Sequence, residues 1–358
     1  MSKRWVLMNP GPVNVTNRVR KALLRPDICH RENEFAEVLS SVRKRLLKIF
    51  GVEKTHMAAL FTGSGTAALE AMLSSFADKN KKILVLSNGV YGERIREILE
   101  LHGAPVRTLS SGPGRFPSLR EIEKVLRSDR AVRAVAMVHH ETSSGMLNPL
   151  KEVARLARDH KKTFLVDAVS SLGAEKLDLK DIGFLAGSSG KCLHGYPGVS
   201  FVLVSKKEWA GNQKKRAKTF YLDLWNTLRY EEKQDTPFTP AVQLFYAFEE
   251  ALKELEAQGL EKRIRAYADR CRLLEEGFQK TGLKFVVEKK FRSHVLTSLW
   301  MPRGLSYKAL HDALKKKGFV IYAGQSRLAG KIFRVSNLGD MSARDIRRFL
   351  SVLRKILV

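Results

Sequence analysis

A lysine, Lys191, stands in the run Ser188-Ser189-Gly190-Lys191-Cys192-Leu193-His194-Gly195-Tyr196-Pro197-Gly198, and an aspartate, Asp167, ends the apolar run Thr163-Phe164-Leu165-Val166. A lysine that closes small polar residues and is followed by Gly and Pro projects from a tight bend rather than lying along a solvated helix. An acid at the end of a buried strand lies where open α/β sheets bind ligands. The pair suits a Schiff-base lysine and a carboxylate facing the ring nitrogen of pyridoxal 5'-phosphate. Alone, Lys191 also fits an ordinary surface position, since the chain holds 64 Lys and Arg. Further motifs must decide between the two.

Gly63-Ser64-Gly65-Thr66-Ala67-Ala68 falls between a predicted strand and a predicted helix. It fits the pattern of a dinucleotide-binding turn, but that fold needs an acid at the end of the next strand. The next strand ends Leu86-Ser87-Asn88-Gly89, with no acid, so this rival fails its own check. What remains is physical: N–H groups at a helix start, with the Ser64 and Thr66 hydroxyls, form a cradle for a phosphate monoester. An ordinary Gly/Ser helix start is the plainer reading.

The elements that would hold these residues alternate. Apolar runs at 58–61, 83–86, 132–138, 163–166 and 199–204 are separated by amphipathic helical stretches such as 67–73 and 94–99. Strand-helix alternation predicts an α/β fold with a mostly parallel sheet covered on both faces. After Pro240 the pattern becomes one long helical stretch from about Val242 to Gly277, then short strands near 293–300 and 332–335 and helices near 306–317 and 342–356. The predicted division is a large α/β domain over 14–240 and a smaller α+β domain over 241–358, joined by the N-terminal segment 1–13.

Composition narrows the class. A hydrophobic fraction of 44% and a charged fraction of 28% are those of a globular protein. No run approaches the roughly 18 apolar residues of a membrane span, and the short apolar stretch after Met1 is no signal peptide, so a cytoplasmic location without membrane partners is expected. The three cysteines, Cys29, Cys192 and Cys271, are far apart, which argues against a disulfide framework and a structural metal site. The net charge of +27 raises a nucleic-acid partner, or a non-catalytic basic binding protein. Its cations are spread along amphipathic segments with no nucleic-acid signature, and a positive field equally attracts anionic substrates.

With these residues in place, the chain resembles the class V aminotransferases of the fold-type I pyridoxal-phosphate family. The resemblance runs from Asn9-Pro10-Gly11-Pro12 to Arg334-Val335-Ser336-Asn337-Leu338-Gly339. It includes His30-Arg31-Glu32-Asn33-Glu34-Phe35, Gly63-Ser64-Gly65-Thr66, Asn88-Gly89-Val90-Tyr91-Gly92, His140-Glu141-Thr142-Ser143-Ser144-Gly145 and Asp167-Ala168-Val169-Ser170-Ser171. It implies a large domain with a mostly parallel seven-stranded sheet and a smaller C-terminal α+β domain.

The resemblance also implies roles. Lys191 holds the cofactor and moves the substrate's proton. Asp167 keeps the ring nitrogen protonated, which makes the ring an electron sink. Ser64, Gly65 and Thr66 take the phosphate, Tyr91 stacks on the ring, and Thr142 bonds near its phenolic oxygen. Thr239, in Thr236-Pro237-Phe238-Thr239-Pro240, reaches the neighbouring subunit's cofactor phosphate, which implies a homodimer. Arg334 interrupts an apolar strand and suits a substrate carboxylate or phosphonate, where an internal salt bridge is the plainer alternative. Arg31 and Arg327 are additional anion ligands, and His194 has a structural role.

Within the family, the run after Lys191 is most like 2-aminoethylphosphonate–pyruvate aminotransferases, with a small anionic amine donor and a 2-keto acid as substrates. Tyr196, Ser200 and Ala174-Glu175-Lys176 depart from the family's usual residues. The same constellation serves alanine–glyoxylate or serine–pyruvate exchange, or a lyase acting on a hydroxylated aminophosphonate. Cysteine desulfurases fit less well, because Gly190 stands where they place a histidine.

Overall fold

A computed structural model describes residues 5–357. Residues 1–4 of the segment expected to join the small domain lie outside the described residues.

Seven strands form the main sheet: β1 (His56–Gly63), β2 (Lys82–Ser87), β3 (Val106–Ser110), β4 (Val132–Val138), β5 (Thr163–Asp167), β6 (Phe184–Ser188) and β7 (Gly198–Ser205). Their spatial order is β1-β7-β6-β5-β4-β2-β3. Neighbours run parallel except β7, which is antiparallel to both β1 and β6. The sheet separates two apolar layers, and the period of two along each strand sorts side chains between them. Leu84, Leu86, Phe164, Val166, Phe201 and Leu203 face one layer. Ile83, Val85, Leu165, Phe184, Val202 and Val204 face the other. Continuous apolar runs are what a sheet covered on both faces requires.

The helices that bear on the site are α1 (Asn33–Ile49), α2 (Gly65–Phe76), α3 (Val90–Leu101), α4 (Val242–Gln258), α5 (Leu260–Lys280) and α6 (Ala343–Leu357). Helices α2 and α3 pack Leu69, Met72, Ile95 and Leu99 on one face of the sheet. Helix α1 covers the other with Phe35, Val38, Val42 and Leu46.

The helical stretch expected to run unbroken from Val242 to Gly277 is two helices. Gly259 separates α4 from α5 at φ 83°, and its N–H donates to the Leu255 carbonyl. That left-handed conformation costs glycine little and other residues more, so the break is local chemistry. Helix α4 also follows the boundary expected at residue 240, yet Phe245, Phe248, Leu252 and Leu255 pack into the layer beside α1.

A third apolar cluster holds the C-terminal region together. Strands β8 (Leu296–Trp300), β9 (Tyr322–Ala323) and β10 (Ile332–Ser336) form an antiparallel sheet in the order β8-β10-β9. Phe333, Phe349 and Leu353 pack there with Phe278 of α5. Val6 and Met8 join the same cluster, and Val6–Leu7 pairs in parallel with Phe319–Val320.

One contact between the two regions depends on pH. His294 Nδ1 lies 2.9 Å from Oε2 of the buried Glu175, and the His294 N–H donates to Oε1 at 2.6 Å. The Glu175 hydrogen bond raises the His294 pKa above its ordinary value. A raised histidine contributes stability that is complete below the unfolded pKa of about 6.5 and is lost as pH climbs through the folded pKa. The ring is 46% exposed, so solvent screening limits the effect to about 1 kcal/mol or less. Thermal midpoints of wild type and His294→Asn should therefore converge as pH rises above about 6.5. Parallel curves would rule this pair out.

Candidate active site

Asp167 and Lys191 meet at the carboxyl edge of the sheet. Asp167 ends β5, opposite Val138 on one side and Ala186 on the other. Lys191 follows the neighbouring strand β6 in a turn fixed by Ser189, whose hydroxyl donates to the Val199 carbonyl at 2.8 Å. Gly190 is required in that turn, since a Cβ would stand 2.8 Å from the Pro197 nitrogen. The Lys191 ammonium donates to the Pro10 carbonyl, and a Cβ on Gly11 would come within 2.5 Å of it.

Burial is the main influence on both groups. It pushes the Asp167 carboxyl up, opposed by the Val169 N–H, Arg94 and Lys191. It pushes the Lys191 amine down, assisted by the positive charges of Arg334 and Arg94 and opposed by Cys192 and Asp167. A lowered amine is more often neutral, as a nucleophile or proton acceptor must be. Asp167 Oδ1 accepts from the Val169 N–H at 2.9 Å, while Oδ2 accepts from no group among the described residues.

Helix α2 begins beside this pair. Ser64 takes the N-cap position without making a side-chain cap bond, and its carbonyl accepts from the Ala67 N–H at 2.8 Å, so its hydroxyl and the Gly65 and Thr66 N–H groups are left without a partner among the described residues. A Cβ on Gly65 would meet Val169 at 2.7 Å, so glycine lets the helix start approach the Asp167–Val169 segment. The Thr66 hydroxyl accepts from Arg94 Nη1 at 3.2 Å. The Arg94 guanidinium also lies 4.8 Å from the centre of the Tyr91 ring. Arg94 belongs to no motif visible in the sequence, although its position three residues after Tyr91 puts both on one face of α3.

Arg334 comes to the site from β10 and is 1% exposed. Its Nε donates to the Ala323 carbonyl at 2.8 Å, and Nη1 to the Thr142 carbonyl at 2.9 Å and Gln325 Oε1 at 3.2 Å. The alternative of an internal salt bridge does not hold: no carboxylate pairs with Arg334 among the described residues, and Nη2 has no protein acceptor there. Burial lowers its pKa, so the charge is held at a cost that an anion would offset. Thr142 is buried and offers Arg334 its backbone. Glu141 and Gln325 are further residues at the site that the sequence reading assigned no role.

The remaining residues make other contacts. Arg31 Nη1 donates to both Asp235 carboxylate oxygens at 3.1 Å and to the Thr236 carbonyl at 2.7 Å. Thr239 is exposed in the same loop, which is tied to the foot of the cradle where the Ala241 N–H donates to Thr62 Oγ1 at 3.1 Å. Arg327 lines a neighbouring cavity of about 310 Å³ together with Gly89, Glu93, Ser143 and Gln325. None of the three touches Lys191 or Asp167 within one chain. His194 Nε2 lies 2.7 Å from the Tyr267 hydroxyl, away from the lysine's amine, which is a structural contact.

These features fit pyridoxal phosphate. Among the described residues, Asp167 keeps a free oxygen for a protonated ring nitrogen and the α2 start keeps the Gly65 and Thr66 N–H groups for a phosphate, while Lys191 supplies a buried amine. Among the described residues no group of side chains could hold a metal ion, and no helix is long and apolar enough to cross a membrane.

Comparison with known proteins agrees with the geometry. A 2-aminoethylphosphonate–pyruvate transaminase of Vibrio cholerae is 34% identical over 362 residues, covering 99% of this chain and 98% of that one. The enzyme of the same name from Bacillus cereus is 33% identical over 358 residues, covering 98% and 97%. The crystal structure of an alanine–glyoxylate aminotransferase from Nostoc sp. superposes with a TM-score of 0.93 at 27% identity, covering 100% of this chain and 96% of that one. Residues 18–349 match the model of the aminotransferase class-V family, and the chain belongs to that family of pyridoxal-phosphate-dependent transaminases.

Proposed function

We propose that the chain moves the amino group of 2-aminoethylphosphonate to pyruvate, giving phosphonoacetaldehyde and L-alanine. The observation that carries this reading is Arg334, a buried guanidinium that among the described residues has no carboxylate partner and an unused Nη2. Both substrates have one anionic end, and a planar guanidinium pairs with a carboxylate or a phosphonate through two parallel bonds. The names of the Vibrio and Bacillus relatives support the same pair of substrates.

Bound pyridoxal phosphate supplies the aldehyde and the electron-withdrawing ring through which an amino group is exchanged. The chain's own residues do the rest. Ser64, Gly65 and Thr66 would hold the cofactor's phosphate, Asp167 would keep its ring nitrogen protonated, and Tyr91 would cover the ring. Thr142 would bond near the phenolic oxygen. Lys191 takes the proton from the carbon bearing the donor's nitrogen and returns one on the other side of the exchange. Arg334 grips the anion, with Arg327 at the neighbouring cavity as a secondary attraction.

We infer that the working unit is a homodimer, in which the partner subunit's Thr239 completes the phosphate site. Phe220 is 86% exposed, and its ring lies 5.5 Å from that of Phe238, beside Thr239. An exposed phenylalanine packed against a half-buried one, next to an incomplete cradle, is what a subunit contact would cover. Arg31, held by Asp235 in this loop, then acts from the same contact. A cytoplasmic location accompanies this reading.

Adding single amine donors to the holoenzyme tests the proposal. 2-Aminoethylphosphonate should convert the cofactor's spectrum faster than alanine, serine or a hydroxylated aminophosphonate. The likeness to the Nostoc enzyme makes alanine with glyoxylate the second pair to try. Arg334→Ala should raise KM for both pyruvate and 2-aminoethylphosphonate by about 10–100-fold, the worth of a charge-assisted hydrogen-bonded pair. An unchanged KM for each would move the anion site elsewhere.

A further inference from the structure

Glu141 is fully buried, and no cation pairs with it among the described residues. A lone buried carboxylate is costly unless several donors meet it. Here Oε2 accepts from the N–H groups of Tyr91 at 3.1 Å and Gly92 at 3.2 Å, while Oε1 accepts from the N–H and hydroxyl of Ser143. The Ser143 hydroxyl in turn accepts from the Val90 N–H at 3.2 Å. Three consecutive N–H groups at the start of α3 are therefore met by one short segment.

Those N–H groups need an outside partner, because the N-cap residue Gly89 has no side chain to offer. The positive end of the helix dipole favours the carboxylate in the same place. Gly89 has φ 177°, extended backbone that any residue adopts, so conformation does not demand glycine there. Space does: a Cβ would stand 2.4 Å from the Glu141 carboxyl carbon. The next residue along, Thr142, gives its carbonyl to Arg334. The Glu141-Thr142-Ser143 segment thus touches the helix that carries Tyr91 and Arg94 on one side and the buried arginine on the other.

We infer that Glu141 is a positioning residue that holds the ring-covering Tyr91 and the anion-binding Arg334 in register. This rests on the proposed roles of those two residues. A carboxylate suits the task because all four donors point at acceptors. An amide would turn its NH₂ toward one pair of donors, and alanine would leave all of them unmet.

The test is Glu141→Gln, compared with wild type, Tyr91→Ala and Arg334→Ala. Three readouts matter: the dissociation constant for pyridoxal phosphate by titration of apoprotein, KM and kcat for pyruvate, and hydrogen exchange of the Tyr91 and Gly92 amides. The inference expects cofactor affinity to fall and KM to rise, each on the order of tenfold, the worth of a hydrogen bond to a charged group. It also expects faster exchange at both amides. Gly89→Ala, which pushes on the carboxylate without removing it, should move all three in the same direction. It carries the test if Glu141→Gln does not fold. A folded Glu141→Gln that loses only thermal stability, with unchanged cofactor affinity and KM, overturns the inference. If Tyr91→Ala and Arg334→Ala also leave both constants unchanged, the underlying reading of the site falls with it.

Discussion

Lys191→Ala protein supplied with pyridoxal phosphate is expected to lack the visible absorption band of a lysine-bound cofactor and to transaminate roughly 10²–10⁴-fold more slowly, the usual worth of a positioned proton-transfer group. The loss has two sources, since the same amine is placed to bond the cofactor and to carry the substrate's proton. The fold should survive. The amine's one hydrogen-bond partner among the described residues is the Pro10 carbonyl, and burial already works against its charge. Removing it deletes a buried amine that a single backbone carbonyl accepts from, at the cost of one hydrogen bond. Lys191→Arg is the sharper control, because it keeps a cation in the turn but cannot act as a neutral amine at ordinary pH. Absorbance titration and single-turnover rates on both variants check this. A full-strength band in Lys191→Ala would show that a different lysine holds the cofactor.

That lysine was readable in the sequence because its surroundings are chemically constrained. Gly190 must lie against Pro197, and Asp167 must end a buried apolar strand. Strands β3 and β6 were harder to read. Val106-Arg107-Thr108-Leu109-Ser110 lies at the sheet edge, where half the side chains meet water, and Phe184-Leu185-Ala186-Gly187-Ser188 is weakly apolar. Gly187 is small because a Cβ there would stand 2.4 Å from the Phe201 ring. A propensity for strands does not reveal such a close approach. The break at Gly259 was signalled by the residue but outweighed by the helical pattern on either side.

Arg94 and Glu141 show a different limit. Each lies within or beside a motif that the sequence made visible, yet their importance comes from contacts between distant segments. Arg94 reaches Thr66 across two helices, and Glu141 meets the start of α3 from the short hairpin strand His140–Glu141 that follows β4. Charge alone did not single them out in a chain with a net charge of +27. Arg334 was distinguishable because an apolar strand surrounds it; Arg31 and Arg327, on polar segments, gave no such contrast.

Asp167→Asn should slow the half-reaction by roughly 10²-fold to several 10³-fold, matching the ~3–5 kcal/mol cost of breaking a buried charged pair. The substitution keeps the shape of the side chain and leaves an oxygen for the Val169 N–H, so β5 and its neighbours have no reason to move. What it removes is the negative charge opposite the ring nitrogen. An amide can still donate or accept one hydrogen bond, but it cannot hold a proton on that nitrogen against a neutral alternative. The ring would then withdraw electrons less strongly when the substrate's carbon loses its proton. Burial sharpens the effect: the Asp167 carboxyl is pushed up by desolvation, and the Val169 N–H, Arg94 and Lys191 oppose that push. A cationic ring nitrogen would oppose it further, so cofactor and carboxylate each favour the charged form of the other. Cofactor affinity should therefore fall along with the rate, and the rate loss should persist when pyridoxal phosphate is saturating. Stopped-flow spectra with 2-aminoethylphosphonate at saturating cofactor separate the two effects. A near wild-type half-reaction under those conditions would remove Asp167 from the chemistry and leave it a purely structural strand end.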